Sequence, residues 1–125
     1  MWMQILFVAA GGAAGALCRY GVSLLSARLL GTRFAYGTLI VNLAGCLVVG
    51  FIFALSTQRG IPGVSGRLWI MTGFLGAMTT FSTFALESVQ FVRSGAVDAA
   101  LLNIALNNVA GVVLVFVGIW LGNRI

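Results

Sequence analysis

Four long apolar runs, parted only by short polar segments, decide what this chain can fold into. They lie at about residues 2–30, 36–57, 68–92 and 99–121. Each supplies the roughly 20 residues that an α-helix needs to cross a bilayer. A soluble domain carries about 25% charged residues. This chain carries 7% against 61% hydrophobic, too little polarity to cover a water-facing surface. The runs are continuously apolar and do not alternate with period two, which argues against a membrane β-barrel. The expectation is an all-α integral membrane protein, a single domain of four transmembrane helices that fills nearly all of the 125 residues. The N-terminus has no charged leader and no clear cleavage site, so it is read as the first helix and not as a signal peptide.

The third run contains an anomaly. From Gly73 to Phe84 it reads Gly-Phe-Leu-Gly-Ala-Met-Thr-Thr-Phe-Ser-Thr-Phe. Two glycines, four hydroxyl residues and three phenylalanines share twelve positions. Lipid offers no hydrogen-bond partners, so irregular backbone at membrane depth survives only where protein buries it or where it lines a polar cavity. The stretch is therefore a tight packing site or a place where something polar crosses, and the expectation here is a small anion. Glu87 lies one turn beyond it and is read, like Arg19, as a structural or vestibule residue that pairs with an arginine or makes a structural hydrogen bond.

The other spans hold their own polar residues. Gly11 and Gly15 of the first have the small-xxx-small spacing that lets helix backbones touch in lipid, and Gly118 and Gly122 of the fourth repeat it. Arg19 sits within or near the end of the first span, where a charge needs a partner or water. It is read as a structural or vestibule residue, with snorkelling to the interface as the other reading. In the second span Thr38 and Asn42 are four apart and share a face. Asn42 is either a pore-lining donor or an interhelical hydrogen bond. In the fourth, Asn103, Asn107 and Gly111 form one stripe, with Asn108 about 100° away from it. Those amides line a path or glue helices. Gly95 is a plausible helix terminator and Asp98 a plausible cap for the next helix. Cys18 and Cys46 lie in apolar runs, without His or clustered carboxylates, and read as core-filling thiols.

Charge excludes several functions. The net charge is +5, and all seven basic residues are arginines, scattered singly, so nucleic-acid binding has no support. An enzyme lacks support as well: there is no His, and no carboxylate pair or activated nucleophile. With four spans, the termini and the 58–67 loop share a side that holds Arg59, Arg67 and Arg124; the other side holds Arg28, Arg33 and Arg93. With Arg19 left out as intramembrane, three against three gives the positive-inside rule no preference. A chain without bias inserts both ways, and two opposed copies pair as the two-chain version of an inverted repeat. The expected assembly is an antiparallel dual-topology homodimer.

Gly37-Thr38-Leu39-Ile40-Val41-Asn42, together with Gly76 to Phe84 and the early Gly11 to Tyr20 segment, resembles the Fluc (CrcB) family of bacterial fluoride channels. The likeness covers essentially the whole chain, and the Thr-Phe-Ser-Thr-Phe run is its most specific part. It implies a multi-pass protein of the bacterial inner membrane, a dual-topology dimer with two fluoride pores and a third helix broken in mid-membrane. It implies that Asn42 contributes to the ion path and that Phe81 and Phe84 line it with their ring edges. Ser82 and Thr83 would belong to the polar track, and Thr38 with them. Backbone carbonyls of Gly76 and Thr79 would hold a structural Na+ at the dimer axis. The fourth helix offers Asn103 and Asn107 at four-residue spacing but Gly111 in the third position, a departure from the family. Neutral donors can replace the water of a strongly hydrated ion without trapping it, and an aromatic edge is positive. Without the resemblance these residues indicate a polar path for an anion and do not single out fluoride. Two rivals stand beside this reading: a small four-helix multidrug exporter, which needs a carboxylate in the first helix, and a membrane assembly subunit that transports nothing.

Overall fold

A computed structural model describes residues 1–125 as helices and short connections. Four helices are long and apolar enough to cross a membrane: α1 (Trp2–Leu30), α2 (Tyr36–Arg59), α3 (Val64–Arg93) and α4 (Val97–Gly122). At 24 residues α2 is the shortest. At about 1.5 Å per residue it reaches about 36 Å, more than the roughly 30 Å of a hydrocarbon core. The protein is a multi-pass membrane protein.

The helices overrun the apolar limits drawn from the sequence, and their caps say why. Gly60 takes φ 66 and returns its N–H to Ser56 O at 3.1 Å, so α2 includes Gln58 and Arg59. Gly95 takes φ 82; its N–H reaches Val92 O at 3.1 Å while Ala96 N–H reaches Phe91 O at 2.9 Å. That paired return is a Schellman motif, and it closes α3 at Arg93. Asp98 does not cap α4. Ala96 holds the cap position without a side-chain bond, and Asp98 sits in the first turn, where a negative charge complements the helix dipole.

Glycines set the packing. A Cβ on Gly11 would fall on the carbonyl oxygen of Trp69, and one on Gly15 on that of Phe74. The α1 backbone therefore lies directly against α3. The α3 segment it meets, Leu68–Leu75, is wound as a π-helix, a wide turn that is uncommon and often found at functional sites. On the other side, a Cβ on Gly50 would strike Val115 and one on Gly118 would strike Leu47, while Gly122 lies against Ala54 and Phe51. This seam joins α2 to the second half of α4.

Val41, Leu75 and Met78 form a small buried cluster, with Cys18, Val22 and Phe74 packed around it. Cys18 Sγ lies 3.8 Å from Met78 Sδ, and Cys46 Sγ rests against Gly111. Only 19 of 125 residues are buried. Large apolar side chains such as Leu17, Leu101 and Phe116 point outward, as a lipid solvent permits.

Candidate functional site at the interruption of the third helix

Helical backbone stops between Met78 and Phe81. Thr79 has φ −81 and ψ 156, and Thr80 has φ −152 and ψ 122, both extended. Two β-branched residues in succession favour that conformation over helix. Each also supplies its own terminus. Thr79 Oγ1 donates to Leu75 O at 2.9 Å and closes the first half. Thr80 Oγ1 accepts Thr83 N–H at 3.3 Å and caps the second half, Phe81–Arg93.

An extended residue inside a helical bundle has no strand to pair with, and Asn42 takes that part. Its Oδ1 accepts Thr80 N–H at 2.8 Å, and its Nδ2 donates to Thr80 O at 3.0 Å. The second Nδ2 hydrogen goes to Asn107 Oδ1 at 2.8 Å. Asn107 Nδ2 donates in turn to Asn103 O at 2.9 Å and to Asn103 Oδ1 at 3.0 Å. Asn103 Nδ2 donates to Ser88 Oγ at 3.0 Å, and Ser88 Oγ donates to Phe84 O at 2.9 Å. The direction of this chain is forced at its ends: Thr80 N–H can only donate, and the carbonyls of Asn103 and Phe84 can only accept. One polar chain thus ties α2 and α4 to the interruption and to the half of α3 that follows it.

Beside it lies a groove of about 410 Å³. Asn42, Asn107, Phe81 and Phe84 line it, with Gly76, Thr79 and Thr80. The two phenylalanines meet edge to face, centroids 5.4 Å apart and planes at 61°. Phe84 is 6% exposed and Phe81 75%. A Cβ on Gly45, on the opposite wall, would overlap the Thr79 methyl, so glycine is what lets Thr79 turn there.

The remaining candidates lie elsewhere. Thr38 and Glu87 line a separate cleft of about 280 Å³ beside the α1–α2 connection, where Thr38 Oγ1 donates to Glu87 Oε1 at 2.8 Å. Glu87 therefore takes a threonine, not an arginine, as its partner. Ser82 and Thr83 are exposed on the first turn after the interruption; Thr83 Oγ1 accepts from Thr80 Oγ1 at 3.0 Å. Asn103 is fully buried. Arg19 is half-buried on α1 and lines neither cavity.

The sequence assigned no place in the site to three residues. Thr80 is the pivot of the site, and Ser88 is the far link of the polar chain. Both were visible only as hydroxyls, one at the Thr-Thr pair and one a turn after Phe84. The third is Asn108, which lines the same groove as Asn107. Regular α-geometry turns it about 100° away, but Leu106–Ala110 is a π-helical turn and distributes side chains differently.

The site also bears on a cation. His, Cys, Asp and Glu form no cluster of three or more that could hold one; the resemblance implies the backbone oxygens of Gly76 and Thr79. Thr80 N–H, the helical donor to Gly76 O, goes to Asn42, and Thr83 N–H, the helical donor to Thr79 O, goes to Thr80 Oγ1. Both carbonyls lose their i+4 partners at a helix C-terminus, where the dipole is negative. Carbonyl oxygens there suit a hard cation.

Residues 6–119 match the family described as "CrcB-like protein, Camphor Resistance (CrcB)". Three relatives carry the name "Fluoride-specific ion channel FluC". The protein of Dehalococcoides mccartyi is 43% identical over 120 residues, covering 96% of this chain and 92% of its own. That of Maridesulfovibrio salexigens is 45% identical, covering 98% and 97%, and that of Aeromonas salmonicida is 46% identical, covering 93% of each. A family match over more than nine-tenths of the length, with relatives this similar end to end, means that the chain belongs to the CrcB-like protein family.

Proposed function

We propose that this protein is a fluoride-selective ion channel, which lets F− leave the cell passively across the bacterial inner membrane and so relieves its toxicity. It is a conduit and not an enzyme. One observation carries the reading: an interruption halfway along α3 whose groove is lined by neutral dipoles and two phenylalanines and by no arginine. Fluoride must exchange its water for donors that hold it without trapping it. Positive ring edges attract an anion without a buried charge. The names of the relatives support the same ion, and their sources a bacterial origin.

The working unit is an antiparallel dual-topology homodimer. The even split of arginines supports it, as does the exposure of Phe81 at mid-span, where a second copy would cover it. A C-terminal tag should be found on both faces of the membrane; a tag confined to one face would exclude this assembly. Gly76 and Thr79, through their freed carbonyls, would hold the structural Na+ at the dimer axis. When bound, that ion supplies a fixed positive field near the path of an anion. Asn42, Phe81, Phe84 and Asn107 wall the path, with Ser82 and Thr83 on its continuation, and Thr38, Glu87 and Arg19 shape its approaches.

A fluoride electrode tests the reading. Proteoliposomes loaded with fluoride should release it once the counter-ion is free to follow, and protein prepared throughout with a bulky organic cation in place of sodium should release it far more slowly. Vesicles that stay tight in the sodium preparation would overturn the function; equal rates in both preparations would overturn the cation site alone.

A further inference from the structure

We infer that Asn108 supplies the amide that meets the anion in the groove, an inference that rests on the fluoride-channel reading. An ion stripped of water needs donors that the protein has not already used. Both Nδ2 hydrogens of Asn42 are engaged, one by Thr80 O and one by Asn107 Oδ1. Both of Asn107 are engaged by Asn103. Asn103 itself is fully buried and bonded to Ser88. The three amides that the sequence brings forward are thus held by one another and by backbone.

Asn108 differs. One Nδ2 hydrogen goes to Ile104 O at 2.8 Å, in its own helix. The other hydrogen and the whole of Oδ1 have no partner in the chain. The side chain is exposed and lines the groove that holds Phe81 and Phe84. Residue 108 lies close to the middle of α4 (Val97–Gly122), where hydrocarbon leaves an unbonded amide unsatisfied. An acceptor must therefore reach it. Fluoride accepts and never donates, which suits a free N–H in a groove also lined by Phe81 and Phe84. Asn108 lies within the π-helical turn Leu106–Ala110.

The test uses the reconstituted full chain, with initial fluoride efflux and oligomeric state measured on the same preparations. Asn108→Leu keeps the size and removes the donor; Asn108→Gln keeps an amide. The leucine variant should lose flux about tenfold, the scale of one charge-assisted hydrogen bond, while remaining assembled like wild type. The glutamine variant should recover most of that loss. Wild-type flux in Asn108→Leu would overturn the inference and leave the channel reading standing. Loss of assembly in both variants would also overturn it, by giving the amide to a second copy. A wild-type protein that releases no fluoride would instead remove the channel reading on which the inference rests.

Discussion

Asn42→Asp is expected to lower fluoride efflux by roughly two orders of magnitude. The substitution is nearly isosteric, and its effect comes from hydrogen-bond polarity. Asp still accepts Thr80 N–H but has no donor for Thr80 O or Asn107 Oδ1, which Asn42 Nδ2 now serves at 3.0 and 2.8 Å. Two acceptors would then face a carboxylate oxygen. Leaving a buried polar group without its partner costs about 1–3 kcal/mol, so two such losses come to about 3 kcal/mol, or roughly 100-fold. A negative charge beside an anion path adds to the barrier. Efflux measured by electrode, with assembly checked by elution volume, decides it. A variant that conducts normally would show that neither the Thr80 clamp nor a neutral groove matters to passage.

The second large effect concerns the rings. Phe81→Ile and Phe84→Ile should each slow efflux about tenfold, the upper range for an aromatic edge interaction of 0.5–1.5 kcal/mol. The two variants separate packing from electrostatics. Phe84 is buried at 6% exposure, so its replacement also disturbs the bundle; Phe81 is 75% exposed, and its replacement disturbs it little. If the ring edges act on the ion, both slow efflux while each variant still elutes as the wild-type assembly. If only Phe84→Ile slows efflux, packing is the cause and the edges are irrelevant. Normal rates in both would remove the aromatic wall from the mechanism.

The four spans were legible because lipid imposes a length and a composition on each, and both are visible in single residues. The glycines of the α1–α3 and α2–α4 contacts were legible from spacing. The roles of the amides were not. Spacing placed Asn103 and Asn107 on one stripe, and they do bond to each other. It could not tell that Asn42 would pair with the backbone of Thr80, because that contact joins residues 38 apart in sequence and depends on where two helices cross. Asn42 was left open between glue and donor; its bonds join helices, to the backbone of Thr80 and to Asn107. Asn108 lines the groove beside Asn107 although spacing turned it off that stripe. Angular arithmetic assumes 3.6 residues per turn, and nothing in Leu-Asn-Asn-Val-Ala marks a wider one.

That wide turn has a consequence for how α4 is geared. Upstream of it, Asn103 engages Ser88 of α3; downstream, Gly118 and Gly122 mesh with α2. A rod of constant pitch keeps one phase along its whole length. The slip at Leu106–Ala110 lets a single helix run in two phases, one for each neighbour, and the junction between them falls at the level of the groove.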